Sequence, residues 1–140
     1  MLSILGIAAS GVNLYRSSLD AIAYNVANLN TVRAMNETAF QRQVVVPSSV
    51  DTPTPRMVGV GGTVGSGVTY QVETGSSEEG RVVYNPEHPL ADATGYVRMP
   101  DIDLATEMAD MIIAQRGYQA NLAVVQRATE AYQAALQLGR

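Results

Sequence analysis

The side chains able to do chemistry in this chain are few and scattered. His88 is its sole histidine, with Glu87 and Asp92 as acidic neighbours and Pro86 and Pro89 on either side. A metal centre would have to be built from that one imidazole plus carboxylates, because there is no cysteine. Two prolines around a histidine mark a turn, and the ring is read as a turn residue. Ser–His–Asp catalysis would need a nucleophile elbow, and no Gly-x-Ser-x-Gly occurs. Asp101-Ile102-Asp103 could hold a divalent cation through two carboxylates. It stands directly before an apolar-periodic stretch, however, where an aspartate serves as a helix cap. The run from Gly59 to Gly65 (GVGGTVG) has some of the spacing of a phosphate-cradling loop. The dinucleotide form needs glycine where Val64 stands, and the P-loop form needs a lysine that the chain lacks. Asn36-Glu37-Thr38 has the form of a glycosylation acceptor, a triplet frequent by chance. The expectation is a protein that is not an enzyme, with no catalytic residue, no cofactor and no metal.

Composition points the same way. The chain has 140 residues, 46% of them hydrophobic, yet no Trp, one Phe (Phe40) and seven Tyr. A compact single-core enzyme uses more large aromatics, since each buries so much area. Small and branched residues suit helices packed side by side. Net charge is −4 with no basic run, which argues against a nucleic-acid partner. All nine cationic residues are Arg. Ordinary interchange of surface cations accounts for that, and so does a use of the planar guanidinium in interfacial ion pairs. Leu2 to Ala9 (LSILGIAA) resembles the apolar part of a secretory signal, but no Lys or Arg precedes it and the pattern continues unbroken. No stretch is long enough to cross a membrane. The expectation is no direct membrane insertion, and an uncleaved export route if the protein works outside the inner membrane.

Two long helices must carry these residues. Leu5, Ala8, Val12, Tyr15, Leu19, Ile22, Val26 and Leu29 step by three and four, the a/d pattern of a coiled coil over nearly four heptads. The spacing predicts a helix from Ile4 to Leu29. A second seam runs through Leu104, Met108, Met111, Gln115, Tyr118, Leu122, Val125, Thr129, Tyr132 and Leu136, predicting a helix from Leu104 to Gln137. Asp103 stands at its N-cap, with Glu107 and Asp110 near its positive end. The two seams are expected to pair with each other as an antiparallel coiled coil. Between residues 1 and 33 the only charged side chains are Arg16, Asp20 and Arg33, which suggests that neighbouring subunits cover the remaining faces. Gly6, Gly11 and Gly117 each cost a helix interior ~1 kcal/mol relative to Ala. They are either tolerated accidents or places where another backbone comes close.

The middle differs in kind. Five of six prolines fall between Pro47 and Pro89, and seven of twelve glycines between Gly59 and Gly80. Short β-type runs lie at Phe40 to Val46, Val68 to Val72, Arg81 to Tyr84 and Tyr96 to Met99, with Pro47 to Gly67 read as a flexible or extended loop. The expected fold is mainly α, with an N-terminal helical segment (1–31), a small β-rich, loop-rich insert (32–102) and a C-terminal helix (103–140).

At this point the residues resemble a family. Ala21 to Thr31 (AIAYNVANLNT) resembles the Asn-rich signature of bacterial flagellar rod and hook proteins, with Asn25, Asn28, Asn30 and Thr31 in matching places. Tyr84 to Asp103 (YNPEHPLADATGYVRMPDID) resembles the signature of a proximal-rod class within it, through Asn85, Pro86, His88, Pro89, Asp92, Gly95 and Tyr96. The last helix, with Glu107-Met108 and Tyr118-Gln119-Ala120-Asn121, is similar to that family's end. The likeness covers essentially the full chain. It departs at Ala34 to Ala39, which lack the family's usual glycine-rich turn, although Phe40, Gln41 and Arg42 roughly keep the pattern that follows. The resemblance implies a structural subunit of the proximal rod in the periplasmic basal body, exported through the flagellar type III apparatus without a cleaved signal peptide. It also implies helical self-association to transmit torque for motility. Implied partners are other flagellar rod subunits, the basal-body ring protein and the export gate. The rival expectation is a non-flagellar type III secreted coiled-coil protein or a soluble binding module, which genomic context would distinguish.

Overall fold

A computed structural model of the chain describes residues 2–53, 63–75 and 78–138. Two helices enclose four strands in sequence: α1 (Leu2–Ala27), β1 (Arg42–Pro53), β2 (Thr63–Gly75), β3 (Arg81–Tyr84), β4 (Tyr96–Met99) and α2 (Leu104–Leu138). The fold is mainly helical with a small stranded insert, as the periodicity predicts. No helix is long and apolar enough to cross a membrane among the described residues.

Helix α1 stops two residues before the expected Leu29 because its end is taken over by Asn28. The Asn28 side-chain amide donates to the Tyr24 carbonyl at 2.9 Å, and the Thr31 hydroxyl donates to the Asn28 side-chain oxygen at 3.1 Å. Helix α2 starts where Asp103 predicts. The Asp103 carboxylate accepts from the Thr106 hydroxyl at 2.7 Å and backbone N–H at 3.0 Å, so a donor that the helix leaves unpaired is satisfied.

The strands form two separate two-stranded sheets, β1 with β2 and β3 with β4. β3 and β4 have the predicted limits and are antiparallel, with Val83 opposite Val97 and Tyr84 opposite Tyr96. β1 and β2 run further than expected, so residues 47–53 and 63–67, read from sequence as loop, are strand. Proline and glycine punctuate sequence strongly, yet in a two-stranded ribbon each strand is an edge, and an edge tolerates a proline whose missing N–H faces outward. The rest of that expected loop, 54–62, lies outside the described residues, as does most of the glycine run.

By contact the chain divides into two compact units: residues 1–17, 46–71 and 113–140, and residues 18–45 and 72–112. The first buries small residues, Ala8, Gly11 and Ala114. The second is richer, burying Ala21, Ile22, Ala39, Val97, Pro100 and Ile102 around the fully covered side chains of Asn25 and Glu107. In it Tyr24 meets Phe40 with ring centroids 5.3 Å apart. The segment from Arg33 to Phe40, which lacks the glycine-rich turn, is held without one. Arg33 and Arg98 exchange backbone hydrogen bonds at 2.9 and 3.0 Å, and the Ala39 N–H donates to the Glu78 carbonyl at 3.0 Å.

Candidate functional site

The expected N-terminal seam lies along helix α1 and the turn that follows it. Leu5, Val12, Tyr15, Leu19, Val26 and Leu29 are half-buried, and Ala8 and Ile22 are buried. On α2 the covered stripe is rotated from the expected one. Met111, Tyr118 and Val125 are half-buried, but their companions are Glu107, Ala114, Asn121 and Ala128 rather than Met108, Gln115, Leu122 and Thr129. Leu104, Met108, Leu122, Tyr132 and Leu136 remain exposed in the chain.

Close approach accounts for the rotation. In the first unit Gly11 faces Asn121 so tightly that a Cβ on Gly11 would lie 2.6 Å from the Asn121 Oδ1, and a Cβ on Gly117 would collide with the Tyr15 ring. Asn121 is itself steadied by donating to the Gly117 carbonyl at 2.9 Å. Each glycine leaves its bare backbone open to one side chain of the other helix, Asn121 at Gly11 and Tyr15 at Gly117.

In the second unit the contact is polar. Asn25, fully buried, accepts from the Gln43 N–H at 2.8 Å and donates to the Gln43 carbonyl at 2.9 Å and the Glu107 Oε2 at 3.2 Å. It thus pairs with β1 as another strand would. Glu107 is 1% exposed and also accepts from the Arg42 Nε. The Arg42 Nη2 donates to the Asp110 Oδ2 at 2.8 Å. Partial burial works against the guanidinium charge, but Glu107 and Asp110 outweigh it and hold its pKa above the ordinary arginine value. Among the described residues no buried side-chain nitrogen or oxygen lacks a partner.

The β3–β4 connection gathers the other signature. The Asn85 N–H donates to the Gly95 carbonyl at 2.8 Å, and the His88 N–H to the Asn85 carbonyl at 3.2 Å. His88 is half-buried, and its Nδ1 accepts from the Leu90 N–H at 3.2 Å, as expected of a turn residue. Asp92 organises the loop: one carboxylate oxygen accepts from Tyr96 N–H, the Thr94 hydroxyl and Thr94 N–H at 2.9, 2.7 and 2.9 Å. The Tyr96 N–H, then the Thr94 hydroxyl, hold the Asp92 carboxyl below its usual pKa. Gly95 has φ +85°, and a Cβ there would meet Tyr84 and Pro86. Tyr84 and Tyr96 stack edge to face at 5.2 Å. Pro86 and Pro89 are exposed, as are Asn30 and Gln119. Three side chains of this polar cluster, Arg42, Glu107 and Asp110, were not among the predicted site residues. The readable signal was a lone arginine opening an apolar strand, and two carboxylates three apart on α2.

Long helices whose buried polar groups join the protein's own segments define a mainly helical fold held together by internal contacts. The family described as flagellar basal body rod FlgEFG protein C-terminal matches residues 93–138. The flagellar basal-body rod protein FlgC of Salmonella typhimurium is 34% identical, over 89% of this chain and 87% of its own. That of Aquifex aeolicus is 36% identical over 84% and 81%, and that of Borreliella burgdorferi 29% over 97% and 95%. The chain belongs to the flagellar basal-body rod protein FlgC family.

Proposed function

We propose that this chain, a structural rod subunit of the flagellar basal body, builds the rod by pairing α1 and α2 as an antiparallel coiled coil. The observation that carries this reading is the double notch of the first unit. Gly11 receives Asn121 and Gly117 receives Tyr15, so residue numbers rise along one helix as they fall along the other. In this reading segments 1–31 and 103–140 are the rod helices and 32–102 is an insert. The exposed Leu104, Met108, Leu122, Tyr132 and Leu136 meet neighbouring subunits, where burial of each is favourable by ~1.5–3 kcal/mol. Neighbours are other rod subunits, with the ring protein and export gate as further partners. The subunit reaches the periplasm by type III export with its N-terminal helix intact and transmits torque by packing. Gly117→Val tests the pairing. The branched side chain would displace Tyr15, so a deletion strain complemented with it should make normal amounts of protein and fail to swim. Parental swimming would sink the pairing.

A further inference from the structure

The β1–β2 ribbon has two outer edges, and an open strand edge is a template for a strand of another chain. Its sequence adds to that hazard. β1 contains Val44-Val45-Val46, and Val46, Val50, Tyr70 and Val72 are exposed. Pro47, Pro53, Asp51 and Glu73 blunt parts of the ribbon, but none of them stands at Gln43 or Val68. At those two places helix α1 supplies side chains. The Asn25 amide accepts from the Gln43 N–H at 2.8 Å and donates to its carbonyl at 2.9 Å, filling both groups. The Ser10 hydroxyl accepts from the Val68 N–H at 3.1 Å while donating to the Ile7 carbonyl at 2.6 Å. A Cβ on Gly67 would lie 2.7 Å from that hydroxyl oxygen, and Gly67 has φ +134°, so a glycine lets β2 come this near to Ser10.

We propose that Ser10 and Asn25 are edge guards: side chains of α1 that occupy outer-edge backbone groups of the ribbon and so stop it from adding a strand of another copy. The bond from Ser10 to the carbonyl three residues back exists only while that turn is helical. Guarding is thereby coupled to α1, which closes the edges when helical and seated and opens them when unwound. The strand added at an opened edge is the same ribbon of a second copy, because like edges pair antiparallel with donors and acceptors matched. Such pairing is an off-pathway association of strands, distinct from helix packing.

Thioflavin T binding and the infrared amide band of the purified full chain test this, with helix content followed by circular dichroism. Ser10→Ala keeps helix propensity and should speed hydrogen exchange at the Val68 N–H about fivefold, the loss of one net hydrogen bond. Ser10→Ala and Asn25→Ala should each bind thioflavin T and show an intermolecular-strand band, whereas the parent shows neither. Ser10→Thr, which keeps the hydroxyl, should behave as the parent. Ser10→Ala/Val68→Pro should turn negative again, because proline removes the N–H that the missing hydroxyl left open. A variant that associates only because its helix is loosened would not be rescued in this way. The proposal is overturned if Ser10→Ala stays negative, or if Val68→Pro leaves its association unchanged, and the Ser10 series decides even where Asn25→Ala loses helix. None of these outcomes touches the rod reading, which would fail instead if cells lacking the chain still swam.

Discussion

Arg42 reaches two carboxylates on one helix, and Asn25 reaches both that helix and a strand, so four side chains join three segments. Burying charge is costly, and such a pair adds little over an apolar replacement, but breaking it leaves an uncompensated charge. Glu107→Ala should therefore destabilise by ~3–5 kcal/mol in urea titration, while Arg42→Met/Glu107→Leu should recover much of that. Equal losses in both would show the cluster to be incidental. Asp92 predicts a pH dependence. Its folded pKa lies below the ordinary 3.8, so its contribution is complete above 3.8 and is lost as pH falls through the folded value. Asp92→Asn should melt below the parent at neutral pH, and the gap should shrink only under pH 3.8. A gap unchanged into strong acid would assign it to shape instead of charge. Asn25, Asn28 and Asp92 were legible in sequence as motif residues. Their jobs were not, since what a polar side chain bonds to is set by segments up to 82 residues away.

Helix and strand limits were read best where local chemistry is decisive, at Asp103 and at both ends of β3 and β4. At four of the ten expected α2 seam positions the covered residue is the one before. A heptad ruler favours the largest apolar residue in each window, which points to Leu122 over Asn121, while Gln115 displaces Ala114 by register alone. A test separates the two stripes. Ala114 is 4% exposed, so Ala114→Leu should overpack and cost ~1–3 kcal/mol, whereas Gln115→Leu, at an exposed position, should leave stability unchanged. If Gln115→Leu stabilises and Ala114→Leu is neutral, the heptad register is the true one. The ends of β1 and β2 escaped because Pro47 and Gly65 read as breakers locally, while strand pairing is decided by a partner elsewhere in the chain.

Helix α1 carries only Arg16 and Asp20 as charged side chains, so it works through shape more than electrostatics. All nine Lys/Arg-type cations are guanidinium groups, which stay charged at any pH the cell meets. The notch at Gly117 has a mechanical meaning. Apolar faces in contact can slide along a helix with their area nearly conserved, and so offer little resistance to shear. A tyrosine ring seated against a bare glycine backbone cannot slide: any axial movement drives it into a neighbouring side chain, and repulsion rises within a fraction of an ångström. The pair should thus behave as a key in its slot, stiff against axial load even where the energy of separation is modest, the mechanical property that a drive shaft needs.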